Sequence, residues 1–219
     1  MNDLLDYIAN DIKPLQLDDP IDKAVELSLQ VNYSHLPVKE NQQYIGCIDC
    51  SHLEYVADKK IVSDLRLDFQ RFFVRQNMIW LEVIEAFAKN QTNLMPVLDK
   101  QNQFLGIYEI EDVLAYCNSL SFLVEEGSTL VIERELKDYS MSQITQIVES
   151  NNSKVLGVFV SEFKGDFVEV TIKMSQVNLN EIIQTFRRYG YKVVSQFKED
   201  NYLRNLKDRS DYLNKYLDM

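Results

Sequence analysis

The sequence predicts an α+β protein: two copies of a strand–helix–strand–strand–helix unit, then a βαββαβ sandwich and a C-terminal helix. Three observations support this. The first is a tandem repeat, in which residues 20–53 return in residues 79–117. With Pro37 set on Pro96, the helix-patterned runs coincide without a gap and SHLPV at 34–38 falls on NLMPV at 93–97. One inserted residue later Gly46 meets Gly106, so YIGCID falls on FLGIYE. Each copy of such a repeat buries its apolar face against its neighbour, which predicts a pair about a pseudo-twofold axis with clefts between the halves. The second is that the repeat stops at Glu125-Glu126-Gly127. The third is that Val168, Val170, Ile172 and Met174 then alternate with Glu169, Thr171 and Lys173, the pattern of a strand with one face on a core and one in water.

Taken in order, Leu4, Leu5, Ile8 and Ile12 form an amphipathic lead-in at helical spacing. Leu15 and Leu17 alternate as a brief strand. Asp19-Pro20 opens a helix, an oxygen-bearing cap before a proline whose missing N–H costs nothing there. Ile21, Ala24, Val25, Ser28 and Leu29 supply its stripe. Strands follow at 35–38 and 43–49 across a polar turn at 39–42, and a second helix starts near Ser51. Residues 60–71 repeat the lead-in and 72–74 the first strand. Trp80, Ile84, Phe87 and Ala88 form the next helix stripe, strands recur at 95–98 and 104–108, and a helix covers 113–117.

In the last part Leu130, Ile132 and Leu136 mark a strand. Ser140 with Gln143 is a capping box, and Met141, Ile144, Ile147 and Val148 line a helix. Strands at 155–163 and 167–174 form a hairpin over 164–166. Asn178 with Glu181 caps a helix whose stripe is Leu179, Ile182, Ile183, Phe186 and Tyr189, ended by Gly190, and the last strand is 191–197. The order is ferredoxin-like. In the tail, Leu203, Leu206, Ser210, Leu213 and Leu217 form a short heptad seam that folds back on its own domain or pairs with a second subunit. The predicted boundaries are 1–59 and 60–124 for the copies, 128–200 for the sandwich and 201–219 for the tail.

Composition narrows the function. A net charge of −11 argues against nucleic acid and anionic membrane surfaces. No apolar run is long enough to span a bilayer, and the acidic start, MNDLLDYIAND, does not resemble an export signal. Cys47, Cys50 and Cys117 then read as reduced thiols, giving a cytoplasmic expectation. There is no phosphate loop or nucleophile elbow, and neither of the two histidines has a nucleophile partner, so the chain is expected not to be an enzyme.

The paired motifs, helix–SHLPV–turn–IGxI–helix, resemble a tandem CBS-domain pair, or Bateman module, over about residues 10–118. The βαββαβ unit behind it resembles an ACT-like domain, and the three-part order is similar to acetoin-utilisation B-type CBS proteins. The resemblance implies a non-catalytic regulatory protein that senses a small, adenosine-containing ligand, acts on an unidentified regulated protein and forms a homodimer.

In CBS pairs that bind adenosine derivatives, Gly-x-x-Ser/Thr-x-x-Asp ends the last strand; the hydroxyl meets phosphate and the Asp holds the ribose. Here Gly106 is followed by Glu109 at the hydroxyl position and Asp112 at the ribose position, and Gly46 by Asp49 and His52. A carboxylate about 4 Å from a phosphate costs roughly 1 kcal/mol in water and about 4 kcal/mol at an effective dielectric near 20. The less penalised ligands are therefore a nucleoside, a cationic adenosine derivative such as S-adenosylmethionine, or a divalent metal bridging the carboxylates. The candidate ligand-binding residues are Asp112, Glu109 and Asp49, with Arg75 to offset charge and Leu15, Val74 and Pro96 as apolar walls. The same acids also suit helix starts, where capping and the dipole favour them. Cys47, Cys50 and His52 are not assigned a metal, because residues three apart on a strand point to opposite faces. In the ACT-like unit, 137–140 lacks the Gly or Pro of the family's amino-acid-binding loop, which leaves packing or dimerisation as its role. The competing reading is a degenerate scaffold that kept the fold and works only through dimerisation and protein–protein contact.

Overall fold

A computed structural model of the chain describes residues 4–10, 13–55, 60–175 and 178–194. The chain divides into two compact units, Met1–Leu120 and Ser121–Met219.

The first unit contains both copies. Copy one has β1 (Leu15–Gln16), α1 (Ile21–Gln30), β2 (His35–Glu40) and β3 (Gln43–Asp49), then a 3₁₀ segment, Cys50–Tyr55. Copy two has β4 (Val74–Arg75), α2 (Trp80–Asn90), β5 (Leu94–Leu98), β6 (Phe104–Glu109) and α3 (Ile110–Cys117). Each sheet has three strands in sequence order, the first pair parallel and the second antiparallel. Both hairpins slip register at the same place, after Val38 and after Val97. Both turn on an asparagine with positive φ, Asn41 and Asn102, a conformation asparagine tolerates better than most residues.

Each lead-in serves the other copy. The lead-in to copy two wraps copy one through backbone bonds from Val62 to the Asp19 carbonyl and from Ser63 to the Leu17 carbonyl, both 2.9 Å. Its Val62 and Leu65 are buried with Leu15, Leu36, Val38 and Ile48. The lead-in to copy one does the reverse, placing Leu4 among Val74, Val83, Met95 and Val97. Gln70 exchanges backbone bonds with Cys47 at 2.8 and 2.9 Å, as Ala9 does with Ile107 at 2.9 and 3.0 Å. This crossing accounts for the repeated glycines. A Cβ on Gly46 would stand 3.0 Å from the Gln70 carbonyl oxygen, and one on Gly106 would stand 2.5 Å from Ile8 Cγ2 and Asn10 Oδ1.

Local expectations are corrected at several points. Asp19 does not cap α1; its carboxylate accepts the Gln16 N–H at 2.8 Å and pairs with Lys23 at 2.7 Å, so Pro20 is the N-cap. Leu29 is 83% exposed, and α1 is anchored through Ile21 and Ala24. The helix expected from Ser51 is 3₁₀, because Asp49 Oδ1 holds both the Ser51 N–H (2.9 Å) and its hydroxyl (2.7 Å) in a local turn. On α2 the buried residues are Val83 and Phe87, while Ala88 faces solvent.

In the second unit, α4 (Ser121–Val124) precedes β7 (Gly127–Glu135), α5 (Met141–Ser150), β8 (Val155–Lys164), β9 (Phe167–Ser175), α6 (Leu179–Arg188) and β10 (Lys192–Val193). The sheet order β10-β7-β9-β8, antiparallel throughout, gives the expected βαββαβ order. Val168, Val170, Ile172 and Met174 pack with Leu130, Ile144, Ile182 and Phe186 in one core. Ser140 caps α5 by accepting the Gln143 N–H. The Asn178 side chain bonds Glu181 rather than the α6 backbone. Leu136 and Tyr189 are exposed, each lying just past the end of its element. Of the expected final strand at 191–197, Lys192–Val193 is strand while Tyr191 and Val194 are not; residues 195–197 and the tail at 201–219 lie outside the described residues.

Candidate functional site

The copies meet through a polar knot. Ser34 precedes β2 and Asn93 precedes β5, the same place in each repeat. Asn93 Oδ1 accepts the Ser34 N–H at 2.8 Å, Ser34 Oγ lies 3.0 Å from Thr92 Oγ1, and Asn93 Nδ2 donates to the Asn32 carbonyl at 2.6 Å. The repeat continues through this knot: Cys50 N–H donates to the Ser34 carbonyl and Ile110 N–H to the Asn93 carbonyl. Each helical segment is thereby tied to the start of its own β2 or β5.

Beside the knot a cavity of about 420 Å³ opens between the copies, lined by Val31, Asn32 and Tyr33 from one and Asn93, Glu109, Ile110 and Glu111 from the other. The volume falls in the small-ligand range. Glu109 is the N-cap residue of α3, but its side chain does not cap; its carboxylate accepts the Tyr33 hydroxyl across the cleft. Two carboxylates, a phenol and two amides can position hydroxyls and amines or a positive centre, and they oppose an anion.

The sequence-derived candidates separate in space. Glu109 lines the cleft, and Asp112 stands three residues on in the first turn of α3, half-buried. Asp49 is engaged with Ser51. Burial raises its pKa, but the Ser51 bonds and the nearby His35 and His52 outweigh that and hold the carboxyl below its usual value. Arg75 does not offset charge at Glu109. Its guanidinium donates to the Asp99 carbonyl and, at 2.6 Å, to Asn102 Oδ1, fixing the β5–β6 turn. Arg75 pairs with Leu98 and Glu109 with Leu94, so the two lie roughly 13 Å apart along β5 at about 3.3 Å per residue. Leu15 and Val74 are buried in the cores, and Pro96 is buried opposite Ile107. Burial pushes the Cys47 thiol up to about 12 and, with Asp49 adding to it, Cys50 up to about 11, so neither presents a thiolate near neutrality. No group of three or more His, Cys, Asp or Glu among the described residues could hold a metal ion.

Tyr33, Asn32, Asn93 and Glu111 escaped sequence reasoning. The signal for Asn93 was available: it falls on Ser34 in the repeat, and a symmetric pair brings equivalent positions together.

The model for the CBS domain matches residues 62–119. This stretch carries a CBS domain. It starts in the crossing lead-in at Val62 and includes Glu109 and Asp112; copy one lies outside the match. Residues of this chain are also similar to inosine-5'-monophosphate dehydrogenases, 25% identical over 107 residues for Thermoplasma acidophilum and 23% over 111 for Methanocaldococcus jannaschii. These matches span 49% and 50% of this chain but only 22% of each relative's length. Among solved structures, a CBS domain pair/ACT domain protein from Thermotoga maritima superposes with a TM-score of 0.47 at 16% identity, covering 54% of this chain and 98% of that one. CBSX2 in complex with AMP gives 0.46 at 17%, covering 54% and 97%. No helix among the described residues is long and apolar enough to cross a membrane.

Proposed function

We propose that residues 1–120 act as a CBS pair with pseudo-twofold symmetry, a non-catalytic sensor whose inter-repeat cleft takes an adenosine-containing ligand with poor tolerance for phosphate. The supporting observation is the cleft beside the CBS domain's own α3, with Glu109 and Glu111 on its wall. A nucleoside hydroxyl or a sulfonium finds acceptors there, whereas a phosphate meets like charge. Asp112, at the family's ribose position, supports adenosine as the ligand class. Under this reading the βαββαβ unit is ACT-like and serves dimerisation or transmission to a regulated protein.

The test is the melting temperature of the full chain with adenosine and with S-adenosylmethionine. At about 100 times Kd a ligand adds roughly 2.7 kcal/mol, a rise of about 5–10 °C for this size. The rise is expected to vanish in Asp112→Ala and Glu109→Ala. One observation favours a degenerate scaffold instead: the Tyr33–Glu109 bond closes the cleft with the chain's own groups. A normally folded chain unmoved by either compound would support the scaffold.

A further inference from the structure

At the other end of the sheets, the hairpins of the two copies touch. Tyr44 N–H donates to the Asn102 carbonyl at 3.3 Å and Phe104 N–H to the Gln42 carbonyl at 3.2 Å. A second cavity of about 350 Å³ opens over this contact, its rim drawn from Gln43, Tyr44, Arg66, Arg71, Phe73 and Asn102. It shares no residue with the inter-repeat cleft.

Its chemistry is the reverse of the cleft's. The chain carries a net charge of −11, yet no carboxylate lines this cavity and two arginines, Arg66 and Arg71, do. Arg75 does not line the cavity; it is held by the β5–β6 turn, with its guanidinium 5.0 Å from the centroid of the Phe73 ring. The rings of Tyr44 and Phe73 meet edge to face at 6.1 Å, and the Tyr44 hydroxyl is tied to the Phe72 carbonyl at 2.8 Å, so the aromatic floor is set in advance. The side chains of Arg66 and Arg71 make no hydrogen bond or ion pair among the described residues. In a chain of net charge −11, two exposed guanidiniums on one cavity without a carboxylate make it a locally positive site. Two open guanidinium forks match the oxygens of a doubly charged phosphate better than a single carboxylate.

We propose that this pocket binds a small phosphorylated metabolite, its phosphate held by Arg66 and Arg71 and its remainder resting against Phe73 and Tyr44. Because the pocket draws on β3 of copy one, the crossing lead-in and the β5–β6 turn of copy two, an anion there clamps the repeats together.

Isothermal titration of pyrophosphate and of inorganic phosphate into the full chain tests this. Pyrophosphate is expected to bind, and to bind more weakly as salt rises. The double variant Arg66→Ala/Arg71→Ala is expected to weaken it at least about tenfold, since charge-assisted bonds to two cations are lost. Both arginines are exposed, so an unchanged melting temperature without ligand will show that this variant folds. Two results would overturn the proposal: no binding at millimolar pyrophosphate, or equal binding by the double variant.

Discussion

Two glycines and one histidine carry consequences of the crossing lead-ins. Gly106→Ala drives a methyl into Ile8, Asn10 and the Ala9 carbonyl, whereas Gly46→Ala meets its neighbours at 3.0 Å. Gly106→Ala is therefore expected to lose about 1–3 kcal/mol in urea unfolding, and Gly46→Ala less. An equal or reversed order would contradict the packing described. His35 is buried, with Nδ1 2.8 Å from Ser34 Oγ, Nε2 3.3 Å from Gln70 Oε1 and its ring edge-on to Phe72. Burial lowers its pKa below 6.5, against the pull of Asp49. A histidine depressed in the folded state contributes stability fully present above the unfolded value, and this is lost as pH falls through the folded one. Asp19 and Asp49, also depressed, act in a separate window below 3.8. The melting temperature is thus expected to fall as pH drops below 6.5, and less steeply in His35→Gln. An equally steep fall in that variant would remove His35 from the account.

Among the elements, the strands were the most legible in the sequence. β3 spans the residues expected, because YIGCID and its repeat fixed both the pairing and the inward side chains. Helix phase was less legible: α2 faces inward through Val83 rather than Ala88, since the sheet behind it, not the apolar pattern alone, sets its rotation. The contrast between Cys50–Tyr55 and α3 has a compositional cause. CSHLEY opens with Cys, Ser and His, which weaken helices, and follows Asp49, whose carboxylate bonds Ser51, whereas IEDVLAYC has no such local competitor. The crossing of the lead-ins could not be read from either copy alone, because both copies carry the same lead-in pattern. It does make a testable claim. Leu65→Ala removes a side chain from copy one's core although it lies in copy two's lead-in. A cost of about 2–5 kcal/mol is expected, measured by denaturant unfolding, and a neutral result would contradict the crossing.

Across the molecule, charge is divided rather than spread. Glu109 and Glu111 face one cavity, and Arg66 and Arg71 line another. The acidic cleft was partly legible, since Glu109 replaces a hydroxyl in a repeated motif. Its other wall was not, because Tyr33 reaches Glu109 only once the copies are docked. The partners of Arg75 were not legible, because its guanidinium is held by a turn whose shape depends on Asn102. The most direct measurement is a calorimetric comparison of adenosine with AMP on the Arg66→Ala/Arg71→Ala chain, in which the cleft alone reports. The expected result is adenosine bound at least about fivefold more tightly, the effect of roughly 1 kcal/mol of like-charge repulsion. AMP bound as tightly as adenosine, or more so, would contradict an acidic cleft that turns phosphate away.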